Sequence, residues 1–422
     1  MEAKERSTCR ISGGKLVDVL DLGKLPFSCF PSIDELPPKS LPLVLSFNSD
    51  SGLLQLRHTV NPDEMYNQYW YMSGVNQSMK DALKSIVVQA MARRKNLLQS
   101  GDIVVDIASN DGTLLSAYPE SLYRIGIDPA KNIKPKNCNL YINTYFSAEA
   151  YRRQMGDRKA EIVTSIAMFY DLENPIQFAK DVYQILKPDG LWIVELSYLP
   201  TMLERNSFDT ICSEHLEYYS LQSMEYILIR SGFLVEDVEL NDVNGGSFRL
   251  YIRKEDFARP TQAVAEMRES EKTLKLTDPQ TYKTFASRIK RNKKEMIDFL
   301  KTQKEMGKKV IGYGASTKGN TIMSYYGLGP DLISFVADRN PIKYGRTTVT
   351  GIPIISEDEA RRMNPDYFLA FPYHFMNEFI HREADFIQRG GKFISPIPQL
   401  TIFPFEKPLD SSCPSVCGVI KS

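Results

Sequence analysis

The sequence lacks the features that mark several large classes of protein. Its 422 residues contain no apolar run close to the roughly 20 residues that a membrane-spanning helix needs. Lysine plus arginine and aspartate plus glutamate number 52 each, so no excess of charge points to nucleic acid or to an anionic membrane. A chain of this length exceeds one typical core. We therefore expect a multi-domain enzyme that acts on a small molecule.

Cysteine and histidine are also scarce. The six cysteines are scattered without a disulfide framework, which favours free thiols in a cytosolic chain. Cys413 and Cys417 lie close together, but in a tail with serine and proline, where a solvated segment is favoured over a metal site. The first 20 residues show no signal-peptide pattern, and we expect a cytoplasmic protein.

The most informative stretch is VVDIASNDGTLL, residues 104–115. Its apolar half predicts a buried strand, the small residues predict a tight loop, and TLL predicts the start of a helix. A loop of this kind lets a ligand approach the backbone, and a helix amino terminus offers free N–H groups. Because the GxGxxG spacing that cradles a pyrophosphate is absent, S-adenosylmethionine fits better than NAD. The candidate cofactor residues here are Asp106, Ala108, Ser109, Asn110, Asp111 and Gly112.

A second short strand, YRIGID, ends at Asp128, about twenty residues after the first, an offset at which a carboxylate meets ribose hydroxyls. Asp128 is therefore a ribose-binding candidate; an ordinary strand–turn–helix corner with a solvated carboxylate is the alternative. Residues 161–166 and 191–196 predict further strands around an amphipathic helix, so we expect a parallel, doubly wound sheet. Phe169 and Tyr170 follow the first of these strands, at the height of the methyl donor.

The run FDTICSEHLEYYS, residues 208–220, is the best candidate for chemistry. His215 has Glu214, Glu217 and Tyr218 as near neighbours in the sequence. A histidine in a solvated ion pair would not require so many polar and aromatic neighbours. We interpret His215 as a base; the alternative is a histidine that caps a helix or satisfies core hydrogen bonds.

Three further segments complete the chain. Residues 233–240 and 247–253 alternate around NGG and predict an antiparallel hairpin. Residues 263–308 are charged and predict a connecting pair of helices. VIGYGASTKGN, residues 310–320, is a second strand, glycine loop and helix, and a later strand over 333–338 ends in an acid. Lys318 and the loop N–H groups could bind a phosphate.

Together these segments resemble the sugar C-methyltransferases of deoxysugar biosynthesis. DIASNDGTLL, EHLEYYS with NGGSFR, and YGASTKGNT occur in the order of that family, and the resemblance spans nearly the whole chain. It implies an α/β protein: a class I methyltransferase core with a Rossmann-like sheet, a small β-rich amino-terminal lobe and a second Rossmann-like domain that holds the nucleotide part of the substrate. The implied units are 1–78 (lobe), 79–255 (S-adenosylmethionine-binding domain), 256–308 (helical connection), 309–408 (carboxyl-terminal domain) and 409–422 (tail).

The resemblance also implies roles for individual residues. His215 corresponds to the family's base and Glu214 to an orienting or stabilising group, whereas Ser213 and Cys212 replace a His and a Tyr of many relatives. Tyr71 corresponds to a tyrosine that lies over the sugar and could donate to the enolate oxygen. The residues implied for substrate binding are Tyr218, Asn244, Arg249, Tyr313, Ala315, Ser316, Lys318, Asn320, Lys343 and Arg346.

In that family, two CxxC turns of the amino-terminal lobe bind a structural zinc. Here Cys9 is retained, and Ser12, Asn48 and Ser51 stand at the other three positions. Because one thiolate cannot supply the four ligands of a closed tetrahedral site, we predict no metal in this lobe. We expect the hairpins to be held by apolar side chains: Leu43, Leu45, Leu53 and Leu56.

These implications favour transfer of a methyl group from S-adenosylmethionine to carbon, C3, of a nucleotide-linked 4-keto-deoxysugar through a base-assisted enolate. The alternatives are O- or N-methylation of a related nucleotide sugar, and a catalytically weakened protein that binds such a sugar. A third alternative is an NAD-linked oxidoreductase that uses residues 310–338. It is the least favoured, because no hydride-transfer site accompanies that loop. We expect a small-molecule substrate, no nucleic acid and no membrane, and the sequence leaves the oligomeric state open.

Overall fold

The computed structural model describes residues 3–36, 38–61, 65, 72–95 and 97–404. Nowhere in these residues does a helix combine the length and apolar character that crossing a membrane would need. The strands are β1 (Ala3–Glu5), β2 (Val17–Pro26), β3 (Ser40–Phe47), β4 (Leu54–Leu56), β5 (His58–Val60), β6 (Ile103–Ile107), β7 (Tyr123–Ile127), β8 (Leu140–Ile142), β9 (Ala160–Ile166), β10 (Leu186–Ser197), β11 (Glu217–Tyr218), β12 (Phe233–Asn241), β13 (Ser247–Lys254), β14 (Val310–Tyr313), β15 (Val336–Asp338), β16 (Ile354–Ser356), β17 (Tyr367–Ala370), β18 (Lys392–Ser395) and β19 (Thr401–Phe403).

Helices alternate with these strands after residue 76. They are α1 (Gln77–Arg93), α2 (Ala148–Met155), α3 (Pro175–Ile185), α4 (Leu199–Glu204), α5 (Leu221–Ile229), α6 (Gln262–Thr273), α7 (Pro279–Glu305), α8 (Thr317–Tyr326), α9 (Glu357–Arg362), α10 (Met376–Arg382) and α11 (Ala384–Gln388). The expected domain boundary at residue 79 falls inside the first turn of α1, which begins after Asn76.

The middle of the chain forms a seven-stranded sheet in the order β12-β13-β10-β9-β6-β7-β8. The five strands from β10 to β8 are parallel, and β13 and β12 add an antiparallel hairpin at one edge. From β6 the chain continues to β7 on one side of the sheet, and from β9 it continues to β10 on the other side. Where the connections of two adjacent parallel strands diverge in this way, a ligand crevice opens at their carboxyl ends. The predicted Rossmann-like fold class and the hairpin are both confirmed.

Both faces of this sheet are covered, which explains its nearly continuous apolar strands. Every residue of β6 is buried. Val104 packs in a cluster with Leu83 and Ile86 of α1 on one face. Val105 packs on the other face in a cluster that includes Ala179 of α3.

One predicted element after β6 is wrong. Residues 113–115 were expected to begin a helix, but the segment forms turns and a three-residue 3-10 helix, Leu115–Ala117. Tyr118 is extended there, with ψ 147°, and Pro119 follows it. A residue that precedes proline is excluded from the helical region by the proline ring, so the helix cannot continue.

The amino-terminal lobe is built on a four-stranded sheet in the order β11-β4-β3-β2. Its edge strand β11 comes from the predicted catalytic run, with Glu217 opposite Gln55 and Tyr218 opposite Leu54. The four leucines expected to hold the hairpins are each buried. The lobe therefore packs directly against the segment that carries His215.

The carboxyl-terminal domain is a six-stranded sheet in the order β16-β15-β14-β17-β18-β19. All neighbouring strands are parallel except β18 and β19. The second Rossmann-like arrangement places its switch between β14 and β17, with the glycine loop and the loop after Ala370 side by side.

Candidate active site

The loop after β6 follows a backbone path that few residues adopt. Ala108 and Asn110 have φ values of 58° and 50°, in the left-handed region, and Gly112 has φ 78°. A Cβ at Gly112 would lie 2.4 Å from the carbonyl oxygen of Lys136, so a side chain cannot fit there. Non-glycine residues held in this region are typical of ligand sites.

Asp128, at the end of β7, fixes this loop. Its Oδ2 accepts a hydrogen bond from the N–H of Asn110 and its Oδ1 from that of Ala130, both at 2.8 Å. Burial raises the pKa of this carboxyl, and the two N–H donors oppose that rise. Each oxygen keeps a further lone pair, so the carboxylate can also accept hydroxyls of a ribose.

Two buried polar residues surround the loop. The hydroxyl of Thr164 donates to Oδ1 of Asp106 at 2.6 Å, and burial raises the pKa of Asp106 to about 7. Ser109 is 4% exposed, and its Oγ has no hydrogen-bond partner among the described residues. A polar atom left unpaired in this way, beside a glycine that no side chain could replace, fits a polar ligand such as S-adenosylmethionine.

A short segment before α1 covers the loop. The N–H of Ser73 donates to Oδ1 of Asn110 at 3.1 Å, and the N–H of Gly74 donates to Oδ2 of Asp111 at 2.8 Å. A Cβ at Gly74 would lie 2.7 Å from the same Asp111 oxygen. Tyr71, two residues before Ser73, lies outside the described residues.

The two aromatic residues after β9 have different surroundings. Phe169 is fully buried, with ring centres 5.5 to 5.9 Å from Phe178, Trp192 and Tyr219. The 3-10 helix at Phe169–Asp171 places this ring in the core, and contact of Phe169 with the methyl donor stays a prediction. Tyr170 is partly exposed and packs edge-on against His215, with 4.4 Å between ring centres.

His215 lies in a pocket at the carboxyl end of β10. Its Nδ1 is 2.8 Å from the carbonyl oxygen of Thr210. A carbonyl can only accept, so Nδ1 carries the proton and Nε2 keeps its lone pair. Burial lowers the pKa of His215 to about 4; the Thr210 carbonyl raises it and the charge of Lys318 lowers it. The pocket is lined by Tyr170, Ser197, Tyr198, Leu199, Met202, Thr210, His215, Glu217 and Tyr218.

Glu214 does not share this pocket. It lines a neighbouring cavity together with Cys212, Ser213 and Phe27 of the amino-terminal lobe. Burial raises the pKa of the Glu214 carboxyl.

Six lining residues of the His215 pocket were absent from the predicted set, among them the polar residues Ser197, Thr210 and Glu217. Ser197 ends β10, Thr210 orients the imidazole, and Glu217 follows His215 at a spacing of two. That spacing is the one signal available in the sequence, because alternate residues of an extended segment point to the same side.

Several residues predicted to bind the nucleotide build the carboxyl-terminal glycine loop. The N–H of Gly319 donates to Oγ of Ser316 at 2.9 Å, and Ala315 is 1% exposed. A Cβ at Gly314 would lie 2.5 Å from Cγ of Pro372. The loop after β17 thus packs closely against Gly314 at the mouth of the crevice between β14 and β17. Ala315 is buried there and Ser316 is partly exposed, and their contact with a ligand stays a prediction.

The other side of this loop is covered by residues 28–32, which we call the strap. Nδ2 of Asn320 donates to Oγ of Ser28 at 3.1 Å and to the carbonyl oxygen of Cys29 at 2.9 Å. Nη1 of Arg346 donates to the carbonyl oxygen of Phe30 at 2.9 Å, and Nζ of Lys343 lies 4.8 Å from the Phe30 ring centre. These three predicted substrate residues hold the strap.

Two other predicted substrate residues lie in polar pairs within the domain cores. The hydroxyl of Tyr313 donates to Oε1 of Glu383 at 2.7 Å. Nε of Arg249 donates to Oε2 of Glu195 at 2.7 Å, and both side chains are at most 6% exposed. Each lies on a strand face that helices cover, so neither is brought to His215.

Lys318 is different, because it faces the cleft between the two Rossmann-like domains. Its Nζ donates to the carbonyl oxygen of Asn244, in the turn between β12 and β13, at 2.9 Å. Burial lowers the pKa values of His215 and His374, and the charge of Lys318 lowers them further. Burial raises the pKa of Asp209, and the charge of Lys318 opposes that rise. Lys318 and Asn244 therefore meet near the base, although they are distant in the sequence.

Known proteins match the chain along its length. Residues 77–238 match a family model described as methyltransferase domain, and residues 242–398 match one described as C-methyltransferase C-terminal domain. C-methyltransferase NovU of Streptomyces niveus is 31% identical over 415 residues, which cover 95% of this chain and 98% of that protein.

Solved methyltransferases match a smaller part. The plantazolicin methyltransferase BpumL, in complex with SAH, is 10% identical over 42% of this chain and 86% of its own, with a TM-score of 0.34. Magnesium protoporphyrin IX methyltransferase of Synechocystis, with bound SAM, is 14% identical over 42% of this chain and 79% of its own, with a TM-score of 0.31.

Proposed function

The chain belongs to the family of S-adenosylmethionine-dependent C-methyltransferases, and on that premise we propose that it methylates C3 of a nucleotide-linked 4-keto-deoxysugar. The 31% sequence identity to NovU, over nearly the whole of both chains, establishes the family and with it the predicted cofactor. The substrate and the position of the methyl group are our proposal.

The tautomer of His215 carries this proposal. Because Nδ1 donates to the Thr210 carbonyl, the lone pair of Nε2 is available to remove a proton from the substrate. The proton at a carbon beside a ketone is acidic enough for such a base, since the ketone oxygen takes up the negative charge. A neutral, oriented imidazole is what enolate formation requires.

The residues at the crevice divide the remaining tasks. Asp128 and the loop at 108–112 would hold the methyl donor, which would supply an electrophilic methyl group and leave as the thioether S-adenosylhomocysteine when its methyl–sulfur bond breaks. His215 takes the proton from C3, and the electron pair of the broken C3–H bond becomes the new carbon–carbon bond. Tyr71 remains our proposed donor to the enolate oxygen, by its position before Ser73.

Lys318 supports the nucleotide-linked part of the proposal. Its ammonium group lies in the cleft and acts on the electrostatic environment of His215. A diphosphate bound by Lys318 would therefore place its sugar within reach of the base. The glycine loop around Lys318 then serves as a support for this side chain, with Gly314 packed closely against Pro372.

Methyl transfer by a His215→Ala variant tests the base. With a nucleotide-linked 4-keto-deoxysugar and S-adenosylmethionine, the wild type should form a carbon–methyl bond, and without the donor it should exchange the C3 proton in heavy water. His215→Ala should reduce transfer by about 10²- to 10⁴-fold while donor binding is retained.

Ser213→Ala is the matched control, because Ser213 lies two residues away and a serine hydroxyl is a poor base at neutral pH. We expect it to reduce transfer much less. Undiminished transfer by His215→Ala would exclude this base. A methyl group found on oxygen or nitrogen would replace the enolate mechanism with O- or N-methylation.

A further inference from the structure

Glu217 places a second ionisable group in the pocket of His215. Its side chain is fully buried, and neither carboxylate oxygen has a hydrogen-bond partner in the part of the chain that the structure describes. Both Glu217 and His215 line the pocket, together with the hydroxyl-bearing Ser197 and Tyr170. A buried carboxylate without a hydrogen bond is unusual enough to indicate a missing donor.

Arg10 partly neutralises this carboxylate without satisfying it. Nε of Arg10 lies 3.6 Å from Oε1 of Glu217, beyond hydrogen-bond distance. The terminal nitrogens of Arg10 donate instead to the carbonyl oxygen of Leu56 at 2.8 Å and to Oγ1 of Thr59 at 2.5 Å. Burial raises the pKa of Glu217, and Arg10 opposes that rise. The carboxyl group keeps an acceptor oxygen beside the charge of Arg10 in its protonated form as well as in its ionised form.

We propose that Glu217 binds the substrate by accepting a hydrogen bond from a hydroxyl group of the sugar, on the reacting carbon or beside it. This inference rests on the proposed function and adds a requirement to it. The ketone has no proton to donate, so the donor must be another group of the sugar. The positive charge of Arg10 would repel an ammonium group of the sugar but would not repel a neutral hydroxyl group.

A sugar without that hydroxyl should bind poorly. It would displace water from Glu217 and leave the carboxylate unsatisfied, and sites built around a hydroxyl discriminate strongly against analogues that lack it. We expect the wild type to prefer the hydroxyl-bearing sugar by roughly 10- to 100-fold, the range that follows from leaving a buried polar group without a hydrogen bond.

The experiment compares two pairs of nucleotide-linked 4-keto-6-deoxyhexoses, one pair differing in the C2 hydroxyl and the other in the C3 hydroxyl. Calorimetry in the presence of S-adenosylhomocysteine gives the dissociation constants, and kcat/KM is measured with S-adenosylmethionine. In one pair the wild type should show the preference, Glu217→Leu should abolish it, and Glu217→Gln, which keeps an acceptor oxygen, should retain part of it.

Glu173→Gln is the matched control. Oε2 of Glu173 lies 3.4 Å from the same Nε of Arg10, but its side chain is 45% exposed and it does not line the pocket. This variant should keep the full preference. Equal binding of both members of each pair by the wild type, or full discrimination by Glu217→Leu, would overturn the inference. Because binding is measured separately, an absence of methyl transfer would count against the proposed function alone.

Discussion

At the scale of single residues, burial of His215 sets the pH range in which the base works. Its pKa is lowered to about 4, so the imidazole stays neutral well below the usual value of 6.5 for histidine. We therefore expect protonation of His215 to leave kcat/KM for the sugar nearly constant from pH 8 to about pH 5 at saturating methyl donor. Saturation with donor keeps the titration of Asp106, whose pKa is raised to about 7, from changing donor occupancy.

The sign of this prediction follows from the direction of the shift. Lowering the pKa favours the neutral base, and only protonation below about pH 4 removes it. An NMR titration of the His215 ring protons in the donor complex would report the same value independently. A decline of kcat/KM with a midpoint near pH 6.5, reproduced by that titration, would show an imidazole exposed to solvent.

Residue identity alone could single out His215 and Asp128 as candidates, but it could not predict the burial of Glu217 or the orientation of Phe169. His215 stands out because histidine is rare and its neighbours are polar, and Asp128 because its offset from the first strand is regular. Glu217 is buried by pairing with β4, a contact over more than 160 residues that no local pattern records. Phe169 could face either the crevice or the core, and only the 3-10 turn decides between them.

At the scale of elements, the two turns of the amino-terminal lobe are joined by hydrogen bonds. Oδ1 of Asn48 accepts from Oγ of Ser12 at 2.9 Å and from Oγ of Ser51 at 2.8 Å. Sγ of Cys9 is 3.4 Å from Oγ of Ser51. Among the residues that the structure describes, no group of three or more His, Cys, Asp or Glu could hold a metal ion. Polar contacts thus connect the four positions that bind zinc in the resembling family.

This geometry predicts that three substitutions create a zinc site. Zinc–sulfur bonds of about 2.3 Å in a tetrahedron separate the sulfur atoms by roughly 3.8 Å, close to the present spacing of these side chains. The wild type should contain no stoichiometric zinc, whereas Ser12→Cys/Asn48→Cys/Ser51→Cys should bind about one zinc per chain by elemental analysis. Adding Cys9→Ala to that variant is the control and should reduce binding. One zinc per wild-type chain would contradict the prediction.

Sequence periodicity predicted strands better than the segments that join them. The strands of both Rossmann-like sheets were legible because buried parallel strands are continuous apolar runs. The helix expected after β6 was wrong because Pro119 restricts Tyr118, a local effect that the apolar pattern of 113–115 concealed.

At the scale of the whole molecule, three units meet around His215. The lobe supplies β4 and Arg10, the middle domain supplies the crevice, and the carboxyl-terminal domain supplies Lys318. The strap adds a contact between the first and the last of these units. The sequence could indicate the order of the units but not the strap, because its hydrogen bonds go largely to backbone carbonyls, which carry no side-chain signature.

Substitutions of two nearby residues of α8, Lys318 and Asn320, should therefore have different effects. Lys318 is partly exposed in the cleft, and Asn320 is 1% exposed and holds the strap. Lys318→Met should raise the KM for the nucleotide sugar by about tenfold, as the loss of a charge-assisted contact to phosphate would, with little change in Tm. Asn320→Ala should lower the free energy of unfolding by about 1–3 kcal/mol, because backbone and hydroxyl partners at Cys29 and Ser28 lose their bonds.

Thermal unfolding, limited proteolysis and steady-state kinetics on the two variants separate these roles. Cleavage near the strap should accelerate in Asn320→Ala and not in Lys318→Met, because only the former removes two of the hydrogen bonds that hold residues 28–32 to α8. If Lys318→Met instead lowered Tm and left KM unchanged, the bond from Lys318 to Asn244 would be a structural tie between domains. The nucleotide would then have to be held by other groups of the cleft, among which Tyr373 already contacts Ser207 and Asp209 across it.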